Sequence, residues 1–186
     1  MNVTPELDAR FRAAALAAGL VDVRSDVVDS PVGVLHVART DRGLCRISYT
    51  PAGQDEVVAR LFGTRVLRTP LDEVRRELDE YFEGRRTQFD VPVDWSLSKG
   101  FTRRILRATA KVPYGEVSTY RQMAAKAGNE RAVRAAGNAL GANPIPIVVP
   151  CHRILHSGGG LGGYTGGLEK KRLLLGVEGY SGLKQP

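Results

Sequence analysis

Three prolines, Pro144, Pro146 and Pro150, interrupt the apolar stretch NPIPIVVPCHRIL, residues 143–155. Proline lacks a backbone N–H and fixes φ, so this stretch can be neither a regular helix nor a central strand. Its isoleucines and valines nevertheless favour burial. The spacing predicts a buried extended segment around which other elements must pack. That segment carries Cys151, His152 and Arg153 side by side, and the chain around it must decide whether Cys151 packs, binds a metal or reacts.

At 186 residues the chain can fill one good core or two small ones. Two cysteines, Cys45 and Cys151, are too few for a disulfide framework or a four-cysteine zinc site, which points to a reducing compartment. The N-terminal apolar stretch is short, Ala-rich and preceded by Glu6, Asp8, Arg10 and Arg12, so it makes a poor signal peptide. No run approaches the roughly 18 apolar residues of a membrane span. A cytoplasmic protein without membrane association is expected. The charge is divided unevenly: residues 1–95 hold 13 Lys+Arg against 16 Asp+Glu, whereas residues 96–186 hold 14 against 4. A one-sided excess of this kind suits either a solvated basic face or a polyanion such as nucleic acid.

The same division separates two kinds of pattern, and the expected class is α+β. Residues 1–95 read as a small antiparallel-sheet domain with helices. Turn signals in DSPVG and TDRG separate three short strands, and PLDEVRRELDEYFEG puts Leu71, Val74, Leu78, Tyr81 and Phe82 on one helical face. This half is expected to give support, and RTQFDVPVDWSLS reads as a linker. Residues 96–186 read as a mainly helical domain. A helix through Phe101, Ile105 and Leu106 precedes one containing Tyr120, Met123 and Ala124, with Ser118 as its candidate N-cap. After Gly128-Asn129 a third helix, ERAVRAAGNALGAN, completes the outline of a helix-turn-helix. Its Ala and Gly residues leave it nearly without bulk. It suits close packing against a neighbouring helix or, with Arg134 projecting, shape-driven contact in a minor groove. A Gly-rich loop, HSGGGLGGYTGG, follows the cysteine segment; it lacks P-loop and dinucleotide spacing and suits folding around a planar ligand or a flexible surface role.

Cys45, in a predicted strand, reads as an inert hydrophobe. For Cys151 to react, nearby groups must favour its thiolate. Successive side chains on extended backbone point to opposite faces, so a sharp turn after Pro150 is needed to bring His152 to the sulfur, directly or through a water. Glu178 could then orient the other ring nitrogen, completing a Cys-His-Glu relay, although spacing alone does not place it there. His152 and His156 lie four apart but lack a matching ligand set, so no metal is expected, and His156 reads as a solvent-exposed loop residue.

From about Phe101 to Gly179 the sequence resembles the C-terminal domain of O6-alkylguanine-DNA alkyltransferases, the methylated-DNA–protein-cysteine methyltransferases. The shared markers, in order, are PYGEVSTY, NPIP, PCHR and GGYTGG. The resemblance implies a single-use DNA-repair transferase without a cofactor, in which Cys151 takes the alkyl group from guanine O6 and keeps it. It implies that His152 is a water-mediated base, Glu178 its orienting partner and Asn143 the holder of the turn. Tyr120 would assist the leaving guanine and crowd a DNA phosphate, while Arg134 would fill the stack vacated by a flipped nucleotide. Ala135 and Gly137 would face DNA with Arg134. Leu140, Val149, Arg153, Ile154, Tyr164, Thr165 and Gly166 would wall the base or contact DNA. The implied partner is duplex DNA carrying O6-alkylguanine, met through the minor groove by a monomer, with clustering on DNA left open. Residues 1–95 match the family only in outline. Lesion binding without transfer and cysteine hydrolysis are the competing functions, the first distinguished by a dispensable Cys151 and the second by multiple turnover.

Overall fold

The computed structural model describes residues 4–182. Helix α1 (Pro5–Ala17) precedes strands β1 (Val23–Val28), β2 (Leu35–Thr40) and β3 (Gly43–Ser48), joined as the antiparallel meander that the turn residues predict. Ala38 lies opposite both Ser25 and Arg46. Helix α2 (Gln54–Phe62) then crosses over to β4 (Val66–Arg68), which runs parallel to β1 and completes the order β3-β2-β1-β4. The sheet is therefore mixed. Three residues are too few for an alternation signal, so sequence reasoning missed β4. Helix α3 (Asp72–Phe82) follows, with Val74, Leu78 and Tyr81 buried and Phe82 packed against the same core.

The segment read as a linker is docked on the sheet. Leu44 N–H donates to the Pro92 carbonyl (2.7 Å), and Asp94 N–H donates to the Leu44 carbonyl (2.8 Å). Gly43 permits this approach at φ 134°, where any Cβ would run into the Pro92 carbonyl. A short 3-10 turn, Trp95–Leu97, leads into α4 (Gly100–Thr109).

Helix α4 packs with α5 (Tyr120–Lys126) and α6 (Val133–Gly141), and α5 and α6 form the expected helix-turn-helix around Gly128 at φ 91°. The N-cap of α5 is Thr119, not Ser118: its hydroxyl accepts from Gln122 N–H (3.2 Å), while Gln122 Oε1 accepts from Thr119 N–H (2.9 Å). Ser118 instead donates to Gln122 Oε1. Strands β5 (Ser118–Thr119) and β6 (Ile154–Leu155) pair in parallel, tying the start of α5 to the residues after Cys151. Helix α7 (Leu168–Val177) ends at Glu178.

One hydrophobic cluster runs through both halves, from Leu35, Val37 and Leu44 through Leu78 and Tyr81 to Ile105, Met123, Ala136, Ile147 and Leu174. A small second cluster, Val23, Ala38, Cys45 and Val58, lies between the sheet and α2. Burial there pushes the Cys45 thiol up to about 12, and its S–H donates to the Ala38 carbonyl (3.2 Å), as suits an inert core residue. No helix among the described residues is long and apolar enough to cross a membrane.

Candidate active site

The proline-rich segment is buried, as expected, but it is not extended. It turns repeatedly and places Cys151–Arg153 in a single 3-10 turn. Ile147 adopts φ 76°, the one non-glycine residue with positive φ among those described. A β-branched side chain there is strained by about 1–3 kcal/mol, and the surrounding hydrogen bonds hold it. Asn143 supplies three of them from its side chain, beside backbone bonds such as Val149 N–H to the Ile145 carbonyl (2.9 Å) and Ile47 N–H to the Pro144 carbonyl (2.8 Å). Asn143 Oδ1 accepts from Ile145 N–H (3.0 Å), and its Nδ2 donates to the Val149 carbonyl (2.8 Å) and to Cys151 Sγ (3.1 Å). The tight turn delivers what a strand could not: consecutive residues Cys151 and His152 serve one site.

Cys151 lies at the base of a cavity of about 360 Å³, the size of a small-molecule site. Tyr120, Arg134, Gly137, Leu140, Tyr164 and Thr165 line it together with Val133, Gly141, His156 and Gly163. Arg134 and Ala135 are both exposed on α6, but Ala135 is not part of the cavity wall. Thr165 donates its hydroxyl to the Gly141 carbonyl (2.8 Å), linking the glycine loop to α6. A Cβ at Gly162 would collide with the Tyr120 hydroxyl, so that glycine is required for the loop to close over Tyr120.

Val149, Arg153, Ile154 and Gly166, expected to wall the base or contact DNA, are not among the residues lining this cavity. Arg153 is buried, with Nε and Nη2 on the Glu178 carboxylate (2.8 and 2.9 Å) and Nη1 on the Val112 carbonyl (2.5 Å), so its charge is not offered to a ligand. The Val149 and Ile154 carbonyls are occupied by Asn143 and Lys171, respectively, and shape the turn behind the cavity. Gly166 abuts Tyr49, where any Cβ would clash with the ring.

His152 is fully buried. Its Nε2 bonds Glu178 Oε1 at 2.8 Å, and its Nδ1 has no protein partner among the described residues. Burial pushes the imidazole below its ordinary value despite the pull of Glu178, so neutral imidazole prevails. Burial would raise the Glu178 carboxyl, but the hydrogen bonds and charges of His152 and Arg153 overcome it and bring it down to about 2. Burial raises Cys151 most, opposed by the Asn143 hydrogen bond and the Lys171 charge. The resting site thus holds a protonated thiol, a neutral imidazole and an ionised carboxylate. A buried thiol in this state can attack carbon if its proton is removed as the bond forms, and with Nε2 engaged by Glu178 the other imidazole nitrogen, Nδ1, is the basic site that can take that proton.

Several residues at the site had no sequence signal. Lys171, fully buried on α7, donates Nζ to the Ile154 carbonyl (2.7 Å) and to the Leu161 carbonyl, and burial lowers its amine to about 8. His156 is exposed as expected, yet its ring lies 5.1 Å from that of Tyr120 and lines the cavity. The N-terminal half contributes two tyrosines: Tyr49 shares a 2.5 Å hydroxyl hydrogen bond with Tyr164, and Tyr81 donates to Glu178 Oε1 (2.7 Å). Support is therefore not all that this half gives. No group of three or more potential metal ligands occurs among the described residues.

Comparison with known proteins agrees with this geometry. Residues 23–95 match the 6-O-methylguanine DNA methyltransferase ribonuclease-like domain, and residues 100–180 match the DNA binding domain of the same proteins. The methylated-DNA–protein-cysteine methyltransferase of Mycolicibacterium paratuberculosis is 41% identical over 151 residues, covering 81% of this chain and 89% of its own. The human protein of that name is 36% identical over 173 residues, covering 86% and 82%. Among solved structures, Mycobacterium tuberculosis OGT in complex with DNA superposes with a TM-score of 0.74 at 34% identity, covering 83% of this chain and 92% of that one.

Proposed function

The chain belongs to the methylated-DNA–protein-cysteine methyltransferase family, and on that premise we propose that it repairs O6-alkylguanine in DNA by moving the alkyl group irreversibly onto its own Cys151. The observation that carries the assignment is the Cys151 thiol on the wall of the cavity, hydrogen-bonded by Asn143 and followed in the same 3-10 turn by a His152 whose Nε2 is fixed to Glu178.

In the proposed step, Cys151 sulfur attacks the alkyl carbon while the carbon–O6 bond breaks and its electron pair stays on guanine. The thiol proton passes through a bridging water to His152 Nδ1, and Glu178 stabilises the resulting imidazolium. The Tyr120 hydroxyl gives its proton to the ring nitrogen of the departing base, leaving neutral guanine, and is reprotonated by way of solvent as the His152 imidazolium returns to neutral imidazole. A thioether is too stable to be reversed by the groups present, so each molecule acts once. O6 lies inside the base stack, and extrusion of the nucleotide is needed to bring it to a buried sulfur at a cost of a few kcal/mol. Arg134, exposed on the low-bulk helix α6 at the cavity mouth, suits the gap left in the duplex. The small face of α6, including Ala135 and Gly137, favours a minor-groove approach.

We assign residues 1–95 to an α+β domain and residues 96–186 to the DNA-binding and transfer domain, acting as a cytoplasmic monomer without a cofactor. Transfer from a duplex containing radiolabelled O6-methylguanine should plateau at one methyl group per protein and vanish in Cys151→Ser. Turnover beyond one equivalent would overturn the suicide mechanism.

A further inference from the structure

The Glu178 carboxylate receives five hydrogen bonds. On Oε1 converge His152 Nε2 (2.8 Å), Arg153 Nη2 (2.9 Å) and the Tyr81 hydroxyl (2.7 Å); Oε2 accepts from Arg153 Nε (2.8 Å) and Gly115 N–H (3.2 Å). Four of these donors come from residues 115–153. Tyr81 alone comes from the N-terminal half, on α3. Its ring is fully buried, set at 5.2 Å against Phe82, 5.3 Å against Phe89 and 6.0 Å against Tyr114, so the hydroxyl cannot swing away without opening the core. Burial and the Glu178 charge push the phenol well above its ordinary value, which keeps it a donor.

We propose that Tyr81 is a positioning residue of the alkyl-transfer relay, its hydroxyl fixing Glu178 Oε1 to accept His152 Nε2–H and thereby keeping Nδ1 the basic nitrogen. The proposal rests on the reading of Cys151 and His152 as the transfer machinery. Tyr81 is neutral, so it shares the negative charge of Oε1 without competing for a counter-ion. Without it, Oε1 loses a donor where no solvent replaces it. The carboxylate then either holds its own proton more readily or draws the His152 proton more strongly. Both changes protonate the relay at higher pH. The other charged groups facing it, Arg153 on Glu178 and Lys171, whose charge reaches His152, keep their contacts when one hydroxyl is removed.

The test measures alkylation of the full chain by free O6-benzylguanine, which needs no DNA binding or base extrusion, as a function of pH. Y81F should react about tenfold more slowly near neutrality, with the acid limb of the rate profile moved up by about one pH unit. 3,5-Difluorotyrosine at position 81, nearly the same size and a stronger donor, should move that limb down and covers the case in which Y81F does not fold. Thr40→Val removes another buried hydroxyl of the same half, one that donates to Asp94 (2.6 Å); it should lower stability and leave the limb in place. An unmoved acid limb in either folded position-81 variant overturns the proposal. Failure of the unmodified chain to react at all would instead overturn the reading of Cys151.

Discussion

Asn143 makes three hydrogen bonds from one buried side chain, and each does something different: one closes the turn at Ile145, one holds the Val149 carbonyl and one touches the reacting sulfur. Asn143→Ala leaves Ile145 N–H unpaired in the interior and takes one of two donors from the Val149 carbonyl, which keeps Cys151 N–H, and should cost about 1–3 kcal/mol of stability. It should also slow alkylation, because a donor to the thiolate is lost; denaturant unfolding and single-turnover rates measure the two effects separately. Glu178 contributes in a pH-dependent way. Its folded-state value, brought to about 2, lies below the ordinary carboxyl value of 4.5, so its stabilisation is complete above about pH 5 and is withdrawn as pH falls toward 2. The melting temperature should therefore fall steeply on acidification through that window, and Glu178→Gln, though less stable at neutral pH, should show a shallower slope there.

At the scale of elements, α6 joins the cavity to the surface. Arg134 and Gly137 stand at the mouth, while Ala136 and Ala139 on the opposite face let α4 and α5 approach closely. Arg134→Ala should reduce transfer from duplex DNA at least tenfold and alter reaction with free O6-benzylguanine little, since only the duplex demands extrusion. Equal losses on both substrates would remove the finger role. The helix-turn-helix was legible because its periodicity and glycine turn are local, and Cys151 was legible because its motif is contiguous. The 3-10 turn was not. Prolines exclude helix and sheet, but Asn143 selects among the remaining conformations through tertiary hydrogen bonds. Nor was the Val149, Arg153 and Ile154 arrangement legible: the resemblance implied that they wall the base or contact DNA, whereas in the fold their polar groups face Asn143, Glu178 and Lys171. Tyr81 reads as ordinary helix core and Tyr49 carries no signal, because nothing local marks a hydroxyl that finds its partner 97 or 115 residues away.

For the molecule as a whole, the charge division and the core do not follow the same boundary. The basic excess belongs to residues 96–186, while one hydrophobic cluster and two tyrosine hydroxyls cross from residues 1–95 into the site. Removing the N-terminal half would expose the faces of Tyr114 and Tyr164 that meet Tyr81 and Tyr49 and strip Glu178 of a donor. Residues 96–186 expressed alone should accordingly lack the cooperative thermal transition of the full chain and react far more slowly, as calorimetry and single-turnover rates would show. The two cysteines supply an internal control for the central claim: Cys151 opens to the cavity, and Cys45 is sealed between the sheet and α2. Peptide mass mapping after one encounter with duplex DNA carrying O6-methylguanine should find one added methyl group on the Cys151 peptide and none on the Cys45 peptide. Complete loss of methyl from the DNA with Cys151 unmodified would contradict it.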